Sequence, residues 1–153
     1  MYKYDTNAIK RARVGAGVTQ EKLAEMSGYS VESIKAWENG NRTASIEVLD
    51  MLGICLSTPW VTGIYLREQS VGGALDNLIP SFNPGDGLSQ ATVRLLHRIY
   101  AFADSHKDRQ LLSIAEDDTI DADERVQFDE IMGDLQDIVE AALALRYAKS
   151  GDT

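Results

Sequence analysis

Apolar residues recur at helical spacing along most of the chain, and no stretch alternates in the manner of a β-strand. In the N-terminal part the periodic segments are short and are separated by glycine-containing or polar turns. Five helices are predicted there, over residues 6–14, 20–26, 31–39, 46–56 and 58–69. Three more are predicted further on, over 90–103, 107–115 and the long stretch 122–148. The fold class is therefore predicted to be all-α, with a five-helix N-terminal domain and a long terminal helix.

Residues with capping chemistry stand at the predicted helix ends. Side chains able to accept a hydrogen bond from a free backbone N–H precede five of the helices: Thr19, Ser30, Ser45, Thr58 and Asp121. Pro59 suits the first helical position after Thr58. Glu124, three residues after Asp121, completes a capping-box variant. Gly28 and Gly40 suit the left-handed position that follows a helix.

The segment 71–88 separates two parts that differ in charge. Its two glycine pairs and two prolines predict a linker or irregular segment. Residues 1–70, the predicted DNA-binding domain, hold eight basic and eight acidic side chains. The rest of the chain holds seven basic and sixteen acidic ones, which accounts for the whole net charge of −9. Only the first part is therefore expected to face a phosphate backbone, and 89–153 is predicted to be an acidic dimerisation or partner-binding region.

Of the 153 residues, 44% are hydrophobic and 25% are charged, which is typical of a globular protein. A single cysteine, Cys55, excludes an internal disulfide and favours a reducing compartment. No apolar run approaches the ~20 residues of a membrane span, and the first residues lack a signal-peptide core. We therefore expect a cytoplasmic protein that does not enter a membrane.

The third predicted helix has two distinct faces. Ile34 and Trp37 share one face, which predicts that they belong to the core with Leu23 and Ala24 of the second helix. The opposite side carries small and polar residues: Glu32, Lys35, Ala36 and Asn39. A glycine-containing turn, 27–29, joins the two helices in the manner of a helix-turn-helix. Helix 2 would then hold helix 3 at a fixed angle, and helix 3 would present its polar face to a DNA major groove.

The runs TQEKLA, SGYS and SIKAWENGNR occur in register and resemble the Xre family, the Cro and phage-repressor type of helix-turn-helix regulator. The resemblance covers about residues 7–56 and implies a Cro/repressor-like fold with double-stranded DNA as partner. It implies base-reading positions at Val31, Glu32, Lys35 and Ala36. It implies phosphate contacts at Thr19, Gln20, Ser33, Asn39, Gly40 and Arg42. The chain departs from the family at Ala44, where proline is frequent.

The C-terminal part resembles, more weakly, regions attached to Xre-type regulators in Firmicutes and their phages. Its last helix has a core stripe at Phe128, Ile131, Leu135, Ile138, Ala142 and Leu145. Its final two turns are apolar on nearly every side, which predicts a homodimer through Leu143, Ala144 and Tyr147. In the competing account, helix 5 or the segment 70–88 covers Leu143 and Tyr147 and the protein is a monomer.

Other chemistry has little support in the sequence. The acidic run 117–124 fails the calcium-loop pattern, because Ala115 and Asp118 occupy positions that need a side-chain oxygen and a glycine. His97 and His106 have no cysteine neighbours, and no G-x-S-x-G motif occurs, so we expect no metal, no cofactor and no enzyme.

The sequence predicts a sequence-specific DNA-binding regulator. It is expected to bind operator DNA as a dimer and to repress transcription there. The alternative is an antitoxin-like or adaptor module that binds protein, with the acidic region as a possible partner site. The basic residues of the first helix, Lys10, Arg11 and Arg13, are either a phosphate-facing edge or a solvated face.

Overall fold

The computed structural model describes residues 6–149, so the first five residues of the predicted DNA-binding domain and the last four of the predicted C-terminal region lie outside it. The described part is helical and contains no strand, as the sequence predicts. Its α-helices are α1 (Ala8–Gly15), α2 (Gln20–Ser27), α3 (Val31–Glu38), α4 (Ile46–Leu56), α5 (Val61–Gln69), α6 (Leu88–Asp104), α7 (Lys107–Ile114) and α8 (Ala122–Arg146). Short 3₁₀ turns follow α5 and α7, at Val71–Gly73 and Ala115–Asp117.

The predicted caps form at α2, α3, α4 and α8. The hydroxyl groups of Thr19, Ser30 and Ser45 each accept a hydrogen bond from the backbone N–H three residues later. Asp121 and Glu124 make the reciprocal capping box at the start of α8. Gly28 ends α2 with φ 77°, a left-handed conformation that glycine adopts without a steric penalty.

The predicted start of helix 5 at Thr58-Pro59 is wrong, because α5 begins at Val61 without a side-chain cap. The Thr58 N–H donates to the Gly53 carbonyl at 2.8 Å, so this residue closes α4 instead of opening α5. Gly53 makes that close approach possible, since a Cβ there would lie 3.1 Å from the Thr58 oxygen. A tight turn therefore connects α4 to α5, and α5 begins without a side-chain cap.

The chain divides into two compact units, Met1–Ile79 and Pro80–Thr153, and the division falls inside the predicted linker 71–88. Residues of this segment are bonded within their own units. The Ser70 hydroxyl accepts the Leu75 N–H at 3.2 Å in the first unit. In the second unit, Asp86 is buried and forms an ion pair with Arg94.

The first unit has a continuous hydrophobic core made by all five of its helices. Its buried apolar residues are Ala8, Ile9, Ala12, Leu23, Ile34, Trp37, Ala44, Leu49, Leu52, Leu56, Val61 and Tyr65. The hydroxyl of Tyr65 accepts the backbone N–H of Ala44 at 3.1 Å, which fixes the chain between α3 and α4 against α5. This core holds α2 and α3 rigidly although each has only eight residues.

The second unit has a much smaller core, formed mainly where α6 packs on α8. Its buried apolar residues are Ala91, Ile114, Ile131, Ala141 and Ala144. The stripe predicted for its last helix is only partly buried, because Ala142 is exposed while Ile131 is buried. On α6, the large apolar residues Leu96 and Ile99 are exposed.

The predicted dimer surface at the end of α8 is largely covered by the chain itself. Ala144, one of the three predicted dimer contacts, is 3% exposed in the single chain. Tyr147 stacks on Phe82, with ring centroids 5.5 Å apart. Leu143 is half-buried. The competing account therefore describes Tyr147 correctly, because part of the segment 70–88 folds against it.

Within residues 6–149, no helix is both long enough and apolar enough to cross a membrane.

Candidate nucleic-acid interface

The α2–turn–α3 element is held by the buried side of α3. Ile34 and Leu23 are fully buried, and Ala24 packs against the same core. Trp37 is buried and receives the ring of Tyr29 edge-on, with centroids 5.1 Å apart. Aromatic packing between the turn and the last turn of α3 thus fixes the angle at which α3 leaves α2.

The other side of α3 is accessible to a ligand. Glu32 and Lys35 are exposed, one turn apart, while Val31 and Ala36 are half-buried beside them. The four predicted base-reading residues therefore lie on the accessible side of one helix. Their chemistry is mixed: one carboxylate, one ammonium group and two small apolar groups.

A second accessible group follows the end of α3. Asn39, Gly40 and Arg42 are exposed, and Gly40 has φ 75°, which turns the chain sharply. Arg42 Nη1 donates to the Ser33 hydroxyl at 3.3 Å. The Ser33 hydroxyl also lies 3.0 Å from that of Ser30. Ser33 and Arg42, both predicted phosphate contacts, thus belong to one patch of donors beside the accessible side of α3.

The start of α2 forms a third group. Thr19 caps the helix and is exposed. The Gln20 side chain, predicted to bind phosphate, donates from Nε2 to Glu38 Oε2 at 2.8 Å. Glu38 holds this amide in one orientation, and the first N–H groups of α2 remain available at the helix end, where an anion binds favourably.

Glu38 is itself fixed by an arginine. Arg13 of α1 donates from Nε to Glu38 Oε1 at 2.5 Å and from Nη2 to Oε2 at 3.0 Å. The hydrogen bond to this carboxylate raises the pKa of the Arg13 guanidinium, so Arg13 stays protonated. Only 1% of the Glu38 side chain is exposed, so its negative charge needs a partner inside the protein. The two N–H groups of the Arg13 guanidinium supply it. Sequence reasoning missed Arg13 and Glu38 as the residues that position Gln20.

A signal for Glu38 was present in the sequence. It stands four residues after Ile34 and next to Trp37, on the buried side of α3. A carboxylate at such a position requires a buried cation or several donors. Helical periodicity alone could therefore have identified it as part of an ion pair, although not its partner.

Two of the basic residues of α1 do not form a phosphate-facing edge or a solvated face. Arg13 pairs with Glu38, and Arg11 pairs with Glu68 of α5. Glu68 also accepts the Ala8 N–H at 2.9 Å, so it caps the start of α1 from 60 residues away. Both arginines are therefore part of the framework that holds α1 against α3 and α5.

The described residues contain no group of three or more side chains able to hold a metal ion. Residues 9–53 match a family model described as Helix-turn-helix. The chain matches no curated protein and no solved structure. The matched residues run from α1 into α4 and include all ten predicted DNA contacts. At their centre, α2 and α3 are joined by the turn that contains Gly28. Residues 9–53 therefore form a helix-turn-helix domain of the kind found in DNA-binding regulators of the Xre, or Cro and phage-repressor, type.

Proposed function

We propose that the protein is a transcriptional repressor that binds a two-fold symmetric operator as a dimer, with α3 of each copy in the major groove. The observation that carries the proposal is the arrangement of α3. Its buried side is fixed by Ile34 and Trp37, while its accessible side presents the four reading residues. A helix of this diameter fits the major groove, where base edges are distinguishable.

The surrounding donors are suited to set the register of α3 on the duplex. Gln20 and the free N–H groups of α2 lie at one end of the motif, and Arg42 with Ser33 lies at the other. Contacts of this kind go to phosphates and orient a protein without reading sequence. Because Glu38 fixes the Gln20 amide before DNA arrives, little side-chain entropy remains to be lost on binding.

The reading face favours particular base edges. Val31 can contact a thymine methyl group, and the Glu32 carboxylate can accept from a cytosine amino group. Neither residue can make the bidentate arginine–guanine contact. Glu32 also repels phosphates, which lowers affinity for random DNA more than for a site that supplies the matching donor. Specificity is the difference between affinity for the operator and affinity for random DNA, so a residue that weakens random binding increases it.

Repression follows from the position of a bound dimer. Two α3 helices about 34 Å apart would occupy half-sites one turn of DNA apart. Occupancy over such a length blocks access of other proteins to the same DNA. The acidic second unit, Pro80–Thr153, holds fifteen acidic side chains and is left to dimerisation or to a protein partner.

The test is footprinting of the full chain on DNA flanking its own gene, followed by selection from a randomised library. We expect a protected region with two related half-sites. Lys35→Ala should alter the selected sequence, whereas Glu25→Gln, an exposed change on the outer side of α2, should leave it unchanged. Binding that shows no sequence preference and disappears with moderate salt would overturn the proposal and identify a protein-binding module instead.

A further inference from the structure

Helix α6 carries an apolar surface that the described residues of the second unit leave uncovered. Val93 is 67% exposed, Leu96 41%, Ile99 40% and Tyr100 61%. These four residues, called here the α6 face, are spaced at three, six and seven residues from Val93, so they lie on one side of the helix. Isolated exposed apolar residues are ordinary, but four on consecutive turns of one helix form a patch of the kind that marks an interaction site.

The core of the second unit is too small for its length. Its residues 80–149 include five buried apolar residues, three of which are alanines, whereas residues 6–79 of the first unit include twelve. Alanine burial contributes little, because a methyl group removes far less apolar surface from water than a larger aliphatic or aromatic side chain does. On α6 itself the only buried residue is Ala91. The large side chains of α6 thus lie mostly where a further surface would bury them.

The charges around the α6 face restrict what can cover it. No acidic residue occurs between Leu88 and Ala103, although the rest of the chain beyond residue 70 is strongly acidic. The two arginines of α6 are paired within the unit, Arg94 with Asp86 and Arg98 with Asp137. The face is therefore apolar and without unpaired charge. A basic partner would instead be attracted to the acidic residues of α8.

We propose that the α6 face is the surface through which two copies of this chain associate. Two acidic units repel one another least where acids are missing, and α6 lies in the longest stretch without an acid beyond residue 70, so two copies can approach each other most easily there. Around a two-fold axis near Leu96, antiparallel α6 helices place Val93 of one copy opposite Tyr100 of the other. The inference rests on the proposed function, because it supplies the second recognition helix that a symmetric operator requires. The end of α8 offers less apolar surface, since Ala144 is buried and Tyr147 is half-buried against Phe82.

The experiment is sedimentation equilibrium of the full chain at micromolar concentration, with two variants of the same helix. Val93→Glu changes an exposed residue of the α6 face and should cost little folding stability in the monomer. In the dimer it buries two unpaired charges, so we expect the dissociation constant to rise about 100-fold or more. Ala101→Glu is the matched control: it adds the same charge at an exposed position one residue after Tyr100, turned away from the face. Circular dichroism of each variant shows whether α6 still folds.

The outcomes separate the surface from the function. A dimeric wild type, a monomeric and folded Val93→Glu and a dimeric Ala101→Glu support the inference. If Val93→Glu proves unfolded, Tyr100→Glu, which is nearly as exposed, replaces it in the same comparison. A monomeric wild type, or a Val93→Glu protein that stays dimeric, overturns the α6 interface. A Val93→Glu protein that stays dimeric leaves the proposed function intact, whereas a monomeric wild type also removes the dimer from it. Base reading by α3 is tested separately, by the footprint of the wild type and the sequence selected by Lys35→Ala.

Discussion

Removing Arg13 tests whether the buried ion pair with Glu38 holds the DNA-binding unit together. In Arg13→Met, the Glu38 carboxylate still accepts the hydrogen bond from the Gln20 amide but loses both hydrogen bonds from the guanidinium. Because only 1% of the Glu38 side chain is exposed, water cannot replace them. Breaking a buried pair in this way costs about 3 kcal/mol or more of folding free energy. That is a large part of the roughly 5–15 kcal/mol that stabilises a typical domain.

The sequence offers a clean probe for this unit. The chain has two tryptophans, Trp37 and Trp60, and both lie in the first unit. Tryptophan fluorescence during thermal or urea unfolding therefore reports on the DNA-binding unit without interference from the second one. For a unit of this size, a loss of 3 kcal/mol lowers the melting temperature by roughly 12–24 °C.

Two further variants separate charge from packing. Arg13→Met combined with Glu38→Gln removes the orphaned charge and leaves an acceptor for Gln20, so we expect about 2 kcal/mol of the loss to be recovered. Lys22→Met breaks an ion pair whose side chains are 58% and 72% exposed, and it should change stability by less than about 0.5 kcal/mol. The reasoning fails if Arg13→Met is no less stable than Lys22→Met, or if the double variant is no more stable than Arg13→Met.

Three other predictions concern the DNA interface and the second unit. Arg42→Ala should weaken binding to operator and random DNA alike and reduce the salt slope by about one unit, measured by anisotropy; a loss confined to the operator would show that Arg42 reads bases. Glu32→Gln should tighten random binding and shift the preference at one or two base positions by ~1–3 kcal/mol, and an unchanged selected consensus would exclude base contact. Hydrogen bonds from Lys107 to Asp134 and Glu130 raise the pKa of Lys107 above its usual value. Its stabilising effect is therefore complete below the unfolded pKa of about 10.4 and is lost as pH rises through the folded pKa. The melting temperature of Lys107→Met should accordingly lie below that of the wild type at neutral pH, with a gap that closes in alkali; a gap independent of pH would contradict this.

Local signals in the sequence were sufficient for the DNA-binding motif. The caps at Thr19 and Ser30, the left-handed Gly28 and the apolar positions of Ile34 and Trp37 all act within a few residues of one another. Such interactions are the same in most folds that contain the segment, so they can be recognised without a structure. The same holds for the capping box of α8, which formed as predicted.

The contacts that only the tertiary structure revealed join residues far apart in the chain. Arg13 meets Glu38 across 25 positions, and Glu68 caps α1 across 60. The sequence shows that a charged residue occupies a buried position, but its partner depends on how several helices pack together. The start of α5 was misjudged for a related reason: the Thr58 N–H bonds to α4, and that contact outweighed a local capping signal.

The second unit shows the same limit most clearly. Periodicity determined that α6 and α8 each have an apolar side, because helical geometry alone places those residues together. Which of them is covered was decided by tertiary packing. Phe82 covers Tyr147, while Val93 and Tyr100 stay exposed. Hydrophobic burial is non-directional, so a sequence can specify that a face must be buried without specifying the surface that buries it.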